Sequence, residues 1–188
     1  MSLRMIPNVF VLVEGRTEEI YINHLKTRGC NYSLHVERFE GNRPLKMVKR
    51  CAARFRERGM ARRYGDLAFC VLDVDYNTAD ELRQAEALAD SQGIGLILSN
   101  PCFEVFFLLH FMDGVVCATP AEIKAETARI IDGYTETKDC WHMLSDRRDA
   151  ALGRSRAFGG IDDAEAGMTG SGIWVLFDAL RALSDRAP

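Results

Sequence analysis

Three acidic residues of this 188-residue sequence stand where apolar runs stop. Glu14 closes residues 8–14 (NVFVLVE), and Asp73 and Asp75 follow the run at 67–72. An apolar strand has no packing reason to end in an acid against Gly15. Strand periodicity of two points Asp73 and Asp75 the same way, and carboxylates held that close repel unless protonated or bridged by a cation. Mg²⁺, or Mn²⁺ in its place, is the natural bridge, because it takes hard oxygen ligands and retains sites for water and substrate phosphate. The chemistry expected is metal-dependent work on phosphoesters, with Glu14, Asp73 and Asp75 as the catalytic group and Glu14 assisting proton transfer.

Glu18 and Glu19 fall in the first turn of the next helix, where acids also favour the helix dipole. Glu18, four residues after Glu14, is the one placed to reach the metal. Glu104 opens the most apolar helix of the chain, on the rim that follows the fourth strand. Its alternative role is again a dipole partner. The expected metal ligands are therefore Glu14, Glu18, Asp73, Asp75 and Glu104.

A second feature is the charge distribution. Residues 43–63 carry nine basic side chains and one acid, so a chain of net charge −3 holds −11 elsewhere. A basic helix on an acidic body is an expected footprint for a polyanion. Lys46, Lys49, Arg50 and Arg54 are the candidate contacts to RNA or DNA, the competing reading being a solvated helix face.

The elements that must position these groups are legible as alternating strands and helices. Strands are expected at 8–14, 32–40, 67–72 and 93–98. Helices are expected at 17–28 (capped by Thr17, ended by Gly29), 44–59, 78–91 and 103–111. That alternation implies right-handed βαβ crossovers and a mainly parallel four-stranded sheet flanked by helices. In such sheets ligands bind outside the carboxyl ends of the strands. The remainder reads as a helical C-terminal extension, with helices at 120–132, 139–152 and 171–183 and a loop-rich, mobile stretch at 153–172. In that stretch Arg154 and Arg156 are either substrate contacts or ordinary surface arginines, and Ser171 is expected as a helix cap. The division is residues 1–117 for the catalytic part and 118–188 for the extension, packed as one unit.

The strings VEGRTEEIYINHL, LDVDYN and SNPCFEVFFLLHF resemble the RloB-like branch of the Toprim-domain proteins. Glu14-Gly15 after the first strand and Asp73-x-Asp75 after the third are similar to the catalytic core shared by topoisomerases, primases and overcoming-lysogeny-type nucleases. The resemblance to Toprim covers roughly residues 7–115. It implies a Toprim-like (Rossmann-like) fold, Glu14 as general acid/base or metal ligand, Asp73 and Asp75 as Mg²⁺ ligands, and Glu18 as the second acid after the Glu-Gly pair. It further implies a nuclease linked to phage defence or restriction-associated systems, often beside a partner ATPase; the alternative is a non-autonomous effector or regulatory subunit of that ATPase, inactive alone. The apolar helix at 103–111 is the candidate face for such a partner, with core burial as the competing reading.

Composition excludes other classes. Hydrophobic residues at 47% and charged residues at 27% are ordinary globular values. No apolar run approaches a membrane span, and the expectation is a cytoplasmic protein with no membrane partner. The six cysteines form no C-x-x-C pair, so reduced buried thiols are expected rather than zinc or redox chemistry. The four histidines show no convergent partners, and His110 reads as a hydrogen-bonded core residue. A haloacid-dehalogenase-type phosphatase would need Thr or Val where Asn77 stands, and its motif on the first strand.

Overall fold

The computed structural model describes residues 6–26, 30–41, 43–116 and 119–185. The strand β1 (Asn8–Val13) lies in the interior of the sheet, and its side chains divide by parity. Val9, Val11 and Val13 enter one apolar core and Phe10 and Leu12 enter another, all at most 2% exposed. A strand buried on both faces must read as an unbroken apolar run, which is why residues 8–13 look as they do.

Around it stand β2 (Ser33–Arg38), β3 (Leu67–Asp73), β4 (Gly95–Asn100) and β5 (Gly170–Ser171), in the order β2-β1-β3-β4-β5. The first four pair in parallel. The mainly parallel sheet is therefore as expected, but it has five strands, not four. The extra strand β5 runs antiparallel to β4, with Ser99 opposite Ser171 and Asn100 opposite Gly170. Two residues carry no readable period. What admits them is contact with other segments: a Cβ on Gly170 would lie 2.5 Å from Phe158, and the buried hydroxyls of Ser99 and Ser171 pair at 2.8 Å.

The helices α1 (Arg16–Asn23), α2 (Pro44–Glu57), α3 (Ala79–Gln92) and α4 (Glu104–Leu109) connect or follow the strands. The first begins one residue earlier than expected, and Thr17 is not its cap. Gly15 holds that place, with the Glu18 side chain folded back on it. The helix also ends at Asn23, five residues short of the expected Arg28, which with Gly29 lies outside the described residues. Thr78 caps α3 through its hydroxyl, and Gly93 closes it at φ +58°, a left-handed conformation that glycine adopts without a Cβ penalty.

Beyond residue 118 come α5 (Pro120–Ile130), α6 (Trp141–Leu144), α7 (Arg148–Ser155), α8 (Ile161–Glu165) and α9 (Trp174–Ser184). The single helix expected at 139–152 is split by a tight 3₁₀ turn at Ser145–Arg147. Where the turn meets α7, Arg147 lies over the ring of Phe111 at 5.1 Å and Arg148 over Phe177 at 6.0 Å. The stretch at 153–172 holds the end of α7, all of α8 and β5 instead of a long loop. Arg154 in it binds Asp113 and the carbonyl of Leu109, and Arg156 binds Asp178. Ser171 belongs to β5, and the last helix starts three residues later than expected.

The two cores assign helices to faces. Met47, Val48, Cys51, Leu82, Ala85 and Ala89 place α2 and α3 on the face of Phe10 and Leu12. Tyr21, Phe106, Ile123, Leu144, Leu152 and Leu176 place α1, α4, α5, α6, α7 and α9 on the opposite face. The residues on either side of the expected division at 117/118 thus share one core. Cys117 and Ala118 themselves lie outside the described residues. Every residue of α4 is buried, so its apolar surface is used within the chain and offers no face to a partner.

Chain direction then locates the site. From β1 the chain moves to β2 through α1 on one face. From β3 it moves the other way to β4 through α3 on the opposite face. The neighbouring carboxyl ends of β1 and β3 form the topological switch point, where open α/β sheets leave a crevice.

Candidate active site

Glu14 and Asp73 sit at that switch point. Register places Val13 beside Val71, and the N–H of Glu14 donates to the carbonyl of Val71 at 3.1 Å. Glu14 is thereby held alongside β3 although it lies beyond β1. In return its Oε2 accepts the backbone N–H of Asp73 at 3.2 Å.

The adjoining Gly15 is required by a close approach. Glu18 Oε1 accepts the Gly15 N–H at 3.2 Å, and a Cβ on Gly15 would lie 2.5 Å from Glu18 Oε2. The glycine thus lets Glu18 turn inward, where it is 3% exposed. That gives the sequence E-G-x-x-E a physical reason: two acids, one turn of helix apart, directed at one point.

Asp73 ends β3, and its Oδ1 is sealed from solvent with no hydrogen-bond partner. Beyond it, the N–H of Val74 donates to Ser99 O at 2.9 Å and that of Asp75 to Pro101 O at 3.2 Å. The turn is thus drawn across the end of β4, and Asp75 stays on the same rim. Tyr76 donates its N–H to Asp75 Oδ1 at 2.5 Å, with its ring 90% exposed.

Glu104 opens α4 from the same rim at 3% exposure. Its Oε1 accepts hydroxyls from Thr17 at 3.0 Å and Tyr134 at 2.7 Å. All five expected ligands are thus on one rim, electrostatically coupled. Burial first, and then the charges of Glu18, Glu104, Glu14 and Asp75, push the Asp73 carboxyl well above its usual range. Glu18 is pushed up to about 8, by burial and by Glu104 and Glu14 against the backbone N–H groups it accepts. Glu14 and Asp75 are raised too, each chiefly by burial. Carboxyls crowded and buried in this way stay protonated unless a cation bridges them. Among the described residues, however, no three Asp, Glu, His or Cys side chains stand in a ready ligating arrangement. Several oxygens are occupied instead: Glu14 Oε2 by Asp73, Glu18 Oε1 by Gly15, and Glu104 Oε1 by Thr17 and Tyr134. The donor set is nonetheless all hard oxygen and suits Mg²⁺ or Mn²⁺.

Residues that carried no signal in the sequence surround this group. Thr17 read as a cap, but it is buried and hydrogen-bonded. Lys124 of α5 pairs with Glu136 at 2.8 Å. Burial opposes its charge, but Glu136 and Glu104 outweigh burial and hold it protonated, and its field in turn lowers Asp75. Tyr134, Lys124 and Glu136 come from a segment with no motif, so only the chain path could place them here.

The basic helix begins at this rim. A small cleft is lined by Glu14, Phe39, Gly41, Arg43, Pro44, Met47 and Leu72, so α2 starts against Glu14. Of the four expected nucleic-acid contacts, Lys46, Lys49 and Arg50 are exposed. Arg54 is instead held by Glu37 at 2.6 Å and Glu57 at 2.9 Å. Arg58 binds the same Glu37, and the Arg54 and Arg58 hydrogen bonds pull that carboxyl down to about 2.

The remaining candidates are structural. His110 donates from Nδ1 to the carbonyl of Phe106 at 2.8 Å, so its Nε2 accepts the Tyr21 hydroxyl at 3.3 Å. Burial lowers its pKa to about 4, which keeps it neutral. His24 stacks on Trp141 with centroids 4.7 Å apart and pairs with Asp139 at 2.7 Å, partners the sequence did not reveal. Cys51, Cys70, Cys102 and Cys140 are buried thiols, as expected, while Cys30 is half-buried and Cys117 lies outside the described residues. No helix among the described residues is long and apolar enough to cross a membrane.

Comparison with known proteins adds one relationship. The family model described as RloB-like protein matches residues 9–178, which include every acid of the rim and the basic helix. No curated protein matches the chain, and no solved structure does.

Proposed function

This chain belongs to the RloB-like family, and from that premise we propose that it is a divalent-metal-dependent nuclease, hydrolysing phosphodiesters of RNA or DNA. The observation that carries this reading is the buried, unpartnered Oδ1 of Asp73 at the switch point, in the electrostatic field of Glu18, Glu104, Glu14 and Asp75. A Toprim-like core, inferred from the Glu14-Gly15 and Asp73-x-Asp75 motifs, is part of the same proposal.

The five acids would hold Mg²⁺ or Mn²⁺, with Asp73 and Asp75 as the central pair. Such an ion supplies charge for the phosphorane oxygens and acidifies water. Glu14, raised by burial, would accept and return a proton at its carboxylate. Its backbone tie to Asp73 keeps it oriented while it does so. Lys46, Lys49 and Arg50 on α2 would hold backbone phosphates, the sequence-independent part of binding. A role in phage defence, alone or beside an ATPase, is proposed on the family relationship only.

The test is titration of Mg²⁺ and Mn²⁺ with mixed RNA and DNA substrates, wild type against Asp73→Ala, with circular dichroism confirming that both fold. Cleavage should require the metal and vanish in the variant. Cleavage unchanged in Asp73→Ala would remove the assignment. Loss of phage protection by the same variant in cells would extend it to defence.

A further inference from the structure

Glu104 is a buried acid that accepts hydroxyls from two segments far apart in the sequence, with the Cys102 thiol also beside it. Thr17 lies 87 positions before it and Tyr134 lies 30 after it. The Thr17 hydroxyl has one proton, and it stands 3.0 Å from Glu104 Oε1 and 3.2 Å from the carbonyl of Glu136. That proton is therefore shared. The Tyr134 hydroxyl, at 2.7 Å, has the shorter contact with Glu104, and the Thr17 hydroxyl lies within hydrogen-bonding reach of it as well. The Tyr134 ring is fixed in turn by an edge-on contact with Phe107, at 6.2 Å and 83°. Phe107 lies on α4, the helix that Glu104 opens.

We propose that Tyr134 is a positioning residue of the metal site: its hydroxyl pins one oxygen of Glu104 and so fixes which way the second faces. The inference rests on the metal reading above and adds that the segment after residue 118 is part of the site. Outer partners of metal ligands act this way in general. They set the orientation and basicity of the ligand, and removing one weakens metal binding about tenfold to a hundredfold.

The variant Tyr134→Phe removes one oxygen and keeps the ring contact with Phe107. Mn²⁺ affinity, read by electron paramagnetic resonance or calorimetry without any substrate, should weaken at least about tenfold. The metal-free melting temperature should fall by no more than about 4 °C, as for one lost hydrogen bond in a chain of this size. A double-mutant cycle separates positioning from general structural support. In a Glu104→Gln background, Tyr134→Phe should change Mn²⁺ affinity less than about twofold, because the group it positions is no longer a carboxylate. An unchanged Mn²⁺ affinity in Tyr134→Phe, or an equal loss in both backgrounds, overturns the positioning role. If that happens while Asp73→Asn still abolishes binding, the metal site itself stands. A wild-type chain that binds no Mn²⁺ overturns both readings.

Discussion

The backbone N–H of Asp73 donates to Oε2 of Glu14 at 3.2 Å, linking residues 59 positions apart at the ends of adjacent strands. The bond uses main chain on one side, so it depends on the β1–β3 register and not on the Asp73 side chain. The Asp73 carboxylate is thereby left for other work.

This arrangement allows the charge of Glu14 to be tested apart from its geometry. Glu14→Gln retains an oxygen that can accept the Asp73 N–H but loses the proton-transfer group. Turnover should fall by about 10²–10⁴, the usual worth of a positioned general acid or base. The melting temperature should hold or rise, because one of several mutually repelling acids is gone. A rate within tenfold of wild type in a cleavage assay would remove Glu14 from the chemistry.

The basic helix makes a quantitative prediction about salt. Replacing Lys46, Lys49 and Arg50 together by alanine should flatten the plot of log affinity against log salt. The expected change in slope is about 2 to 3, from roughly 0.7–0.9 per phosphate contact. Arg54→Ala should leave the slope nearly unchanged, since Glu37 and Glu57 already occupy that guanidinium. Anisotropy titrations with labelled RNA and DNA at several salt concentrations would decide. Equal slopes for the triple variant and wild type would rule out α2 as the phosphate contact.

Glu37 gives the chain a defined acid sensitivity. Its carboxyl is pulled from 4.5 down to about 2 by Arg54 and Arg58. A carboxyl with a depressed folded pKa contributes stability that is complete above its unfolded value and is lost as pH falls through the folded one. Wild type should therefore exceed Glu37→Gln in stability above pH 4.5, with the difference shrinking between pH 4.5 and about 2. Urea unfolding at pH 6, 4 and 2.5 measures it. A pH-independent difference would contradict the ion-pair origin.

The fifth strand can be tested by packing. Gly170→Ala places a methyl against Phe158, which is 1% exposed, and should cost about 1–3 kcal/mol. Ser171→Ala strands the buried Ser99 hydroxyl and should cost about 1–3 kcal/mol. Chemical denaturation of both variants gives these values directly. Changes below about 0.5 kcal/mol would mean that β5 contributes little to holding the end of β4.

Much of the frame was legible because it is governed by local periodicity. Residues 9–13 and 67–72 had to be apolar at every position to be buried on both faces, and the acids that ended those runs stood out against them. Where the reading failed, no local signal existed. Ser171 read as a cap because a two-residue strand has no alternation, and its role comes from Ser99, 72 positions away. Thr17 read as a cap because it stands at a helix start, yet the Glu18 side chain already serves Gly15 there.

By itself the sequence determined the four parallel strands, their connection through helices, and the carboxylates that close two of them. These follow from burial and from the two periods of regular backbone, properties that neighbouring residues settle among themselves. Only tertiary structure decided that β1 lies against β3, bringing Glu14 to Asp73. It also decided that Glu37 takes Arg54 away from the basic face, and that Tyr134 reaches Glu104. Each of these is a contact between distant side chains, whose partners are chosen by the path of the whole chain and leave no pattern in either segment alone.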